Sequence, residues 1–204
     1  AATTATTAQA PDRSCCTTTS SVTAPKVNAA VLEDASFVKI NLPSAAILTL
    51  THEFVSVTVM RTPYARIQLR VQYTDKYPDD SPIVELSSPS LPLPLLRNKE
   101  RECVDKAKEY LGRAQFQQVY EHVHSFIHSN MFVPCWKEMK QVATLCEEKG
   151  KVSVDESDGL IQLQLKCAKY RQVFKIKIPA DYPMTGVVVE FAHSNFPVDI
   201  QIMF

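Results

Sequence analysis

Residues 77–86 read YPDDSPIVEL. Two prolines bracket two acids, and an apolar alternation follows. Proline fixes φ and offers no ladder donor, so this stretch is a turn feeding a strand rather than the middle of one. Pro78 and Pro82 also push the residues before them, Tyr77 and Ser81, toward extended backbone. The Tyr77 ring can pack over such a turn, and its hydroxyl can bond a backbone group that the prolines leave unpaired. The stretch reads as an architectural corner that aims the strand Ile83-Val84-Glu85-Leu86.

The corner recurs. With Tyr77 placed on Tyr182, a shift of 105 positions, RVQYTDKYPDDSPIVELSSPSLP (70–92) lies without a gap on KIKIPADYPMTGVVVEFAHSNFP (175–197). Tyr-Pro, the apolar alternation and a closing Pro persist. The acids do not, so geometry is what repeats. This is self-similarity at domain scale. The reading is α+β, with two copies of one domain at about 27–130 and 131–204. The second copy stops at Phe204, just after the strand that precedes the helices of the first. Either the chain continues in a longer protein or a partner covers that face.

Period-two patterns lead into each corner. They predict strands over Phe37–Leu42, a run from Ile47 through Val59, and Ile67–Tyr73. After Pro94 the period changes. Val104, Ala107 and Leu111 share a helical face, and Gly112 follows where a helix C-cap is expected. Phe116, Val119, Tyr120, Val123, Phe126 and Ile127 make the clearest helical stripe. A third helix is predicted over Phe132–Cys146, with Trp136 and Met139 on one face. Strands at Val152–Val154, Leu160–Cys167 and Val173–Ile178 complete the second approach, with Asp158-Gly159 as a turn.

Composition narrows the function. Of 204 residues, 45% are hydrophobic, enough for a core, and Lys+Arg equals Asp+Glu at 22 each, which speaks against a nucleic-acid surface. Only four glycines are present, and no phosphate-cradling loop motif occurs. The six cysteines form no CxxC pair and read as reduced thiols of an intracellular protein, cytoplasmic or nuclear. No apolar run spans a membrane, and no signal peptide is visible. Residues 1–26, rich in Ala, Thr and Ser, lack the apolar mass to offset ordering entropy and read as a disordered tail. No cofactor is expected.

Tyr77-Pro78 and Pro82 followed by Ile83-Val84-Glu85-Leu86 resemble the YPxxxPxhxh signature of RWD domains. Ala107–Gly112, Gln115-Phe116 and the amphipathic helix beyond them are similar to the family's downstream region. The second copy keeps Tyr182-Pro183 but has Val187 in place of Pro82. The resemblance covers most of 27–204. It implies tandem RWD-like domains, each an antiparallel meander with helices on one face, the second lacking its C-terminal helices. The family shares its fold with ubiquitin-conjugating enzymes and serves as docking modules in larger assemblies. The implied function is therefore a non-catalytic scaffold that binds other proteins. The alternative is a ubiquitin-pathway subunit binding a conjugating enzyme or ubiquitin. Tyr77, Pro78, Pro82, Gly112, Tyr182 and Pro183 are its structural residues, and the binding surface is not assigned.

Conjugating enzymes carry a catalytic Cys after the Tyr-Pro turn at roughly the interval that separates Tyr77 from Cys103. They also carry His-Pro-Asn before it, whose Asn serves the oxyanion. Here SSPSLPLPLLRNKEREC (87–103) has no His-Pro-Asn, and no neighbouring His can act as base. Cys103 is expected to be a structural helix cysteine. Glu121, His124 and His128 share a helical stripe that could hold zinc, but it lies opposite the apolar face and is expected to be solvated. Pro89-x-x-Pro92 could mimic a polyproline ligand, though a Pro-rich crossing between strand and helix explains it. Ser81-Pro82 and Ser88-Pro89 are common dipeptides with the form of phosphorylation sites.

Overall fold

Asn28 caps the first helix. Its side-chain oxygen accepts the Ala30 N–H at 3.0 Å, which satisfies one of the unpaired amides at a helix start. The computed structural model describes residues 28–147 and 150–195, so the expected tail at 1–26 lies outside the described residues. Helix α1 runs Ala29–Asn41 and ends before Pro43. It replaces the strand expected over 37–42. Ala30, Val31, Asp34 and Val38 are its buried residues, and that spacing is helical. Ile40, which suggested the alternation, is 80% exposed. A solvated isoleucine on a helix mimicked an inward strand position.

A four-stranded antiparallel meander follows: β1 (Ile47–Leu50), β2 (Phe54–Met60), β3 (Arg66–Gln72) and β4 (Ile83–Ser87), paired in that order. The run expected from Ile47 to Val59 breaks at 51–53. There the Thr51 hydroxyl oxygen accepts the Phe54 N–H at 3.0 Å and turns the chain. Along β3, Ile67, Leu69 and Val71 point inward while Arg66, Gln68, Arg70 and Gln72 face water. Helices α2 (Leu93–Lys108) and α3 (Phe116–Ser129) lie on the inward face with α1. Pro92 caps α2 and Pro94 sits in its first turn, where a missing N–H costs nothing. Phe116, Val119, Val123 and Ile127 of α3 are buried in this core, each side chain contributing roughly 1.5–3 kcal/mol by burial.

After α3 come a short 3-10 turn (Val133–Cys135), α4 (Trp136–Glu147) and a second meander: β5 (Gly150–Asp155), β6 (Leu160–Cys167), β7 (Tyr170–Lys177) and β8 (Val188–Ser194). Asp158-Gly159 is the β5–β6 turn as expected. Gly159 has φ +62°, and a Cβ there would meet the Ile178 carbonyl oxygen at 2.6 Å, so only glycine fits. The sheets share their register. Leu69 pairs with Leu86 and Val71 with Val84, as Phe174 pairs with Phe191 and Ile176 with Val189. The Tyr77-Pro78 and Tyr182-Pro183 bonds are both cis.

The segment joining the two sheets is tightly held. Asn130, Phe132 and Val133 are buried. Asn130 donates its side-chain amide to Glu156 Oε2 at 2.7 Å and accepts the Phe132 N–H at 3.0 Å. Arg61, directly after β2, donates to the carbonyls of Ile127 (3.0 Å) and Asn130 (3.1 Å). Trp136 packs against the core of the first sheet and against a second cluster that includes Phe132, Met139, Ile161 and Ile178, so it belongs to the core and to the joint at once.

Candidate functional site

The Tyr-Pro corner is the most connected polar site among the described residues. Tyr77 is buried. Its hydroxyl donates to Asp34 Oδ2 at 2.5 Å and accepts the Gln115 N–H at 2.8 Å. The other Asp34 oxygen accepts the Phe116 N–H at 3.1 Å. Gln115 is the N-cap of α3 and Phe116 its first residue, so Asp34 and Tyr77 satisfy amides that the helix itself leaves unpaired. A carboxylate also suits the positive end of the helix dipole. The Gln115 side-chain amide (2.7 Å) and the Gly112 N–H (2.9 Å) both donate to the Pro78 carbonyl, and the Asn28 side chain donates to the Tyr77 carbonyl. Three separate pieces of chain, 28–34, 77–78 and 112–116, therefore meet at one turn.

Asp34 is 1% exposed. Burial pushes its carboxyl up to about 6, against the pull of the hydrogen bonds from Tyr77 and Phe116. Burial pushes the Tyr77 phenol well above its ordinary value too. The sequence reading assigns Asp34 no role, because it places a strand over 37–42 and no helix ahead of it. Once the segment is a helix, Asp34 stands on the apolar face of Ala30, Val31 and Val38. An acid on such a stripe is the signal that would have found it.

The other corner residues have different fates. Pro82 is buried just ahead of β4. Gly112 has φ +80°, but α2 already ends at Lys108 with Glu109 as its cap, so Gly112 closes the turn that follows rather than the helix. Tyr182 packs against the second cluster, Pro183 is exposed, and Val187 is largely uncovered.

Cys103 lies on α2 with 0% exposure, in the main core with Leu96 and Ala107. Burial raises its thiol to about 12, and Glu102 adds to the effect. A nucleophilic cysteine needs access and a lowered pKa, and Cys103 has neither. His124 and His128 stack at 4.0 Å on α3, and Glu121 is engaged by the Gln117 side-chain amide at 2.8 Å. Among the described residues no group of three or more His, Cys, Asp or Glu could hold a metal ion. Pro89 and Pro92 lead into α2, and Leu91 between them is buried. Ser88 donates its hydroxyl to the Arg66 carbonyl at 3.1 Å. Among the described residues no helix is long and apolar enough to cross a membrane.

The two sheets are covered unequally. The inward residues of the first are sealed by α2 and α3. On the second, α4 covers part of the face, and a groove of about 240 Å³ opens beside it, floored by Ile161, Ile176 and Ile178. A family model described as RWD domain matches residues 12–127, beginning inside the stretch read as a tail. No curated protein and no solved structure matches the chain.

Proposed function

Because the chain belongs to the RWD domain family, we propose that it is a non-catalytic protein-interaction module, with a second RWD-like unit at 131–204 behind the first at 27–130. RWD domains carry the fold of ubiquitin-conjugating enzymes without their chemistry, so the family shifts expectation from catalysis to docking. The observation that carries the non-catalytic reading is Cys103. Its thiol is core packing at 0% exposure, with no solvent path for a ubiquitin carboxyl terminus, and burial raises its pKa where a nucleophile needs it lowered.

The second unit is supported by shared strand order, by the register that sets Phe191 where Leu86 stands, and by a helix leading into each meander. The corner residues Tyr77, Pro78, Pro82, Gly112, Tyr182 and Pro183 serve architecture in this reading. The tight joint through Asn130 and Trp136 presents both units as one surface to its protein partners, in the way a scaffold subunit needs.

The test is direct. The protein is incubated with ubiquitin-activating enzyme, ATP and ubiquitin, then resolved with and without reductant. No reducible adduct is expected. An adduct that disappears in Cys103→Ser would overturn the non-catalytic reading.

A further inference from the structure

The chain holds three Ser-Pro or Thr-Pro pairs, Thr62-Pro63, Ser81-Pro82 and Ser88-Pro89, and their surroundings differ. Pro82 is buried ahead of β4, where no second protein reaches it. Pro63 is exposed, but Thr62 holds the β2–β3 turn by accepting the Ala65 N–H at 3.0 Å. The arginine beside it, Arg61, is spent on the carbonyls of Ile127 and Asn130. Ser88-Pro89 is placed otherwise. It lies in the crossing from β4 to α2, where residues 88–92 belong to no helix or strand. Pro89 is exposed and Ser88 half-buried. The Ser88 hydroxyl donates to the Arg66 carbonyl at 3.1 Å and lies 3.2 Å from the Ser90 hydroxyl.

A cleft of about 270 Å³ opens at this point, lined by Arg66, Gln68, Ser87, Ser88 and Pro89. Arg66 is exposed at the start of β3, and among the described residues its guanidinium has no ion pair or hydrogen bond. Arg70 on the same strand is, by contrast, paired with Glu85 at 3.5 Å and stacked on the Phe54 ring. An uncommitted planar cation therefore shares a cleft with a hydroxyl that an exposed proline follows.

We propose that Ser88 is a phosphorylation site for a proline-directed protein kinase, and that Arg66 receives the phosphate. The Ser88 oxygen attacks the γ-phosphorus of ATP. The new O–P bond forms as the bond to the β,γ-bridging oxygen breaks, ADP leaves, and the hydroxyl proton passes to the kinase's catalytic carboxylate. The phosphoserine has no hydroxyl left to donate to the Arg66 carbonyl, and its charge of about −1.5 to −2 is repelled by that oxygen. The Arg66 guanidinium, a fork of donors matched to phosphate oxygens, is the partner lining the same cleft. The modification turns this end of the outward sheet face from cationic to anionic. The site lies within 27–130 and does not depend on how 131–204 is read.

The full chain and a peptide of residues 82–95 are each incubated with ATP and a purified mitogen-activated protein kinase, a proline-directed enzyme. The peptide carries the same acceptor with no fold around it. Phosphopeptide mass spectrometry reads position and rate. Phosphate is expected at Ser88 of the folded chain, at a rate within about tenfold of the peptide's, since only local opening of the crossing is needed. Ser88→Ala should lose most of the incorporation. Phosphate on the peptide but not on the folded chain, or on Thr62 or Ser81 in its place, overturns the site. No phosphate on either overturns it too, because the acceptor sequence is then not read. The phosphorylated chain is next followed by phosphorus NMR against pH. Phosphoserine takes up its second proton near about pH 6. Pairing with Arg66 should lower that midpoint by about half a pH unit or more, and Arg66→Gln should restore it. The same midpoint in both proteins overturns the part given to Arg66.

Discussion

Replacing Asp34 by Asn should remove a pH dependence whose direction is opposite to that of an ordinary paired carboxylate. In the folded chain the Asp34 carboxyl is raised from 3.8 to about 6 by burial. The folded state therefore binds this proton more tightly than the unfolded state does. Its contribution to stability is fully present below about 3.8 and is lost as pH rises through about 6. At about 1.4 kcal/mol per pKa unit, the full span is on the order of 3 kcal/mol, of which about 2 kcal/mol falls between pH 4.5 and 7. Glu102 and Asp155 have carboxyls held below their ordinary values by hydrogen bonds, from Lys99 and Ser157 first. They push stability the other way as pH falls, so the difference between two proteins is the useful quantity. Urea unfolding of the parent and Asp34→Asn is measured at half-unit steps over that range, with constant m required for a valid comparison. The parent should lose about 2 kcal/mol relative to the variant as pH rises. A flat difference, or a parent that gains, would refute the claim that desolvation outweighs the Tyr77 and Phe116 hydrogen bonds.

Three further outcomes follow from the same structure. Tyr77→Phe deletes a donor to Asp34 and leaves the Gln115 N–H without its acceptor, which should cost about 2–4 kcal/mol in urea unfolding. Gly159→Ala places a Cβ against the Ile178 carbonyl at a positive φ, and a loss of about 1–3 kcal/mol is expected. The thiol of Cys103, buried and raised to about 12, should resist iodoacetamide in the native protein far longer than partly exposed Cys146. Mass spectrometry of tryptic peptides reads both rates, and comparable rates would contradict the buried placement.

Local pattern sufficed for much of the fold. Strict alternation in Ile67–Gln72 and the 3.6-residue stripe of Phe116–Ile127 each match one secondary structure only, so β3 and α3 were legible. Two prolines around DDS could be only a corner. Pattern failed where a short apolar cluster satisfied two periods at once. Phe37-Val38-Lys39-Ile40 alternates, yet Val38 and Asp34 share a helical face, and what decides is which residues meet the sheet. The break at 51–53 was equally hidden, since a side-chain oxygen of Thr51 makes that turn rather than a glycine or proline.

By itself the sequence determined the family, the repeated corner, and the want of equipment around Cys103, because each rests on residues adjacent in the chain. Tertiary structure alone decided the rest. Asp34 meets Tyr77 from 43 residues away and Phe116 from 82. Arg61 reaches Asn130 from 69. The exposure of Val189 and Phe191, against the burial of Val84 and Leu86, appears only when the covering helices are placed. Burial, charge state and an open apolar face are properties of what surrounds a residue, and no periodicity along the chain encodes its surroundings.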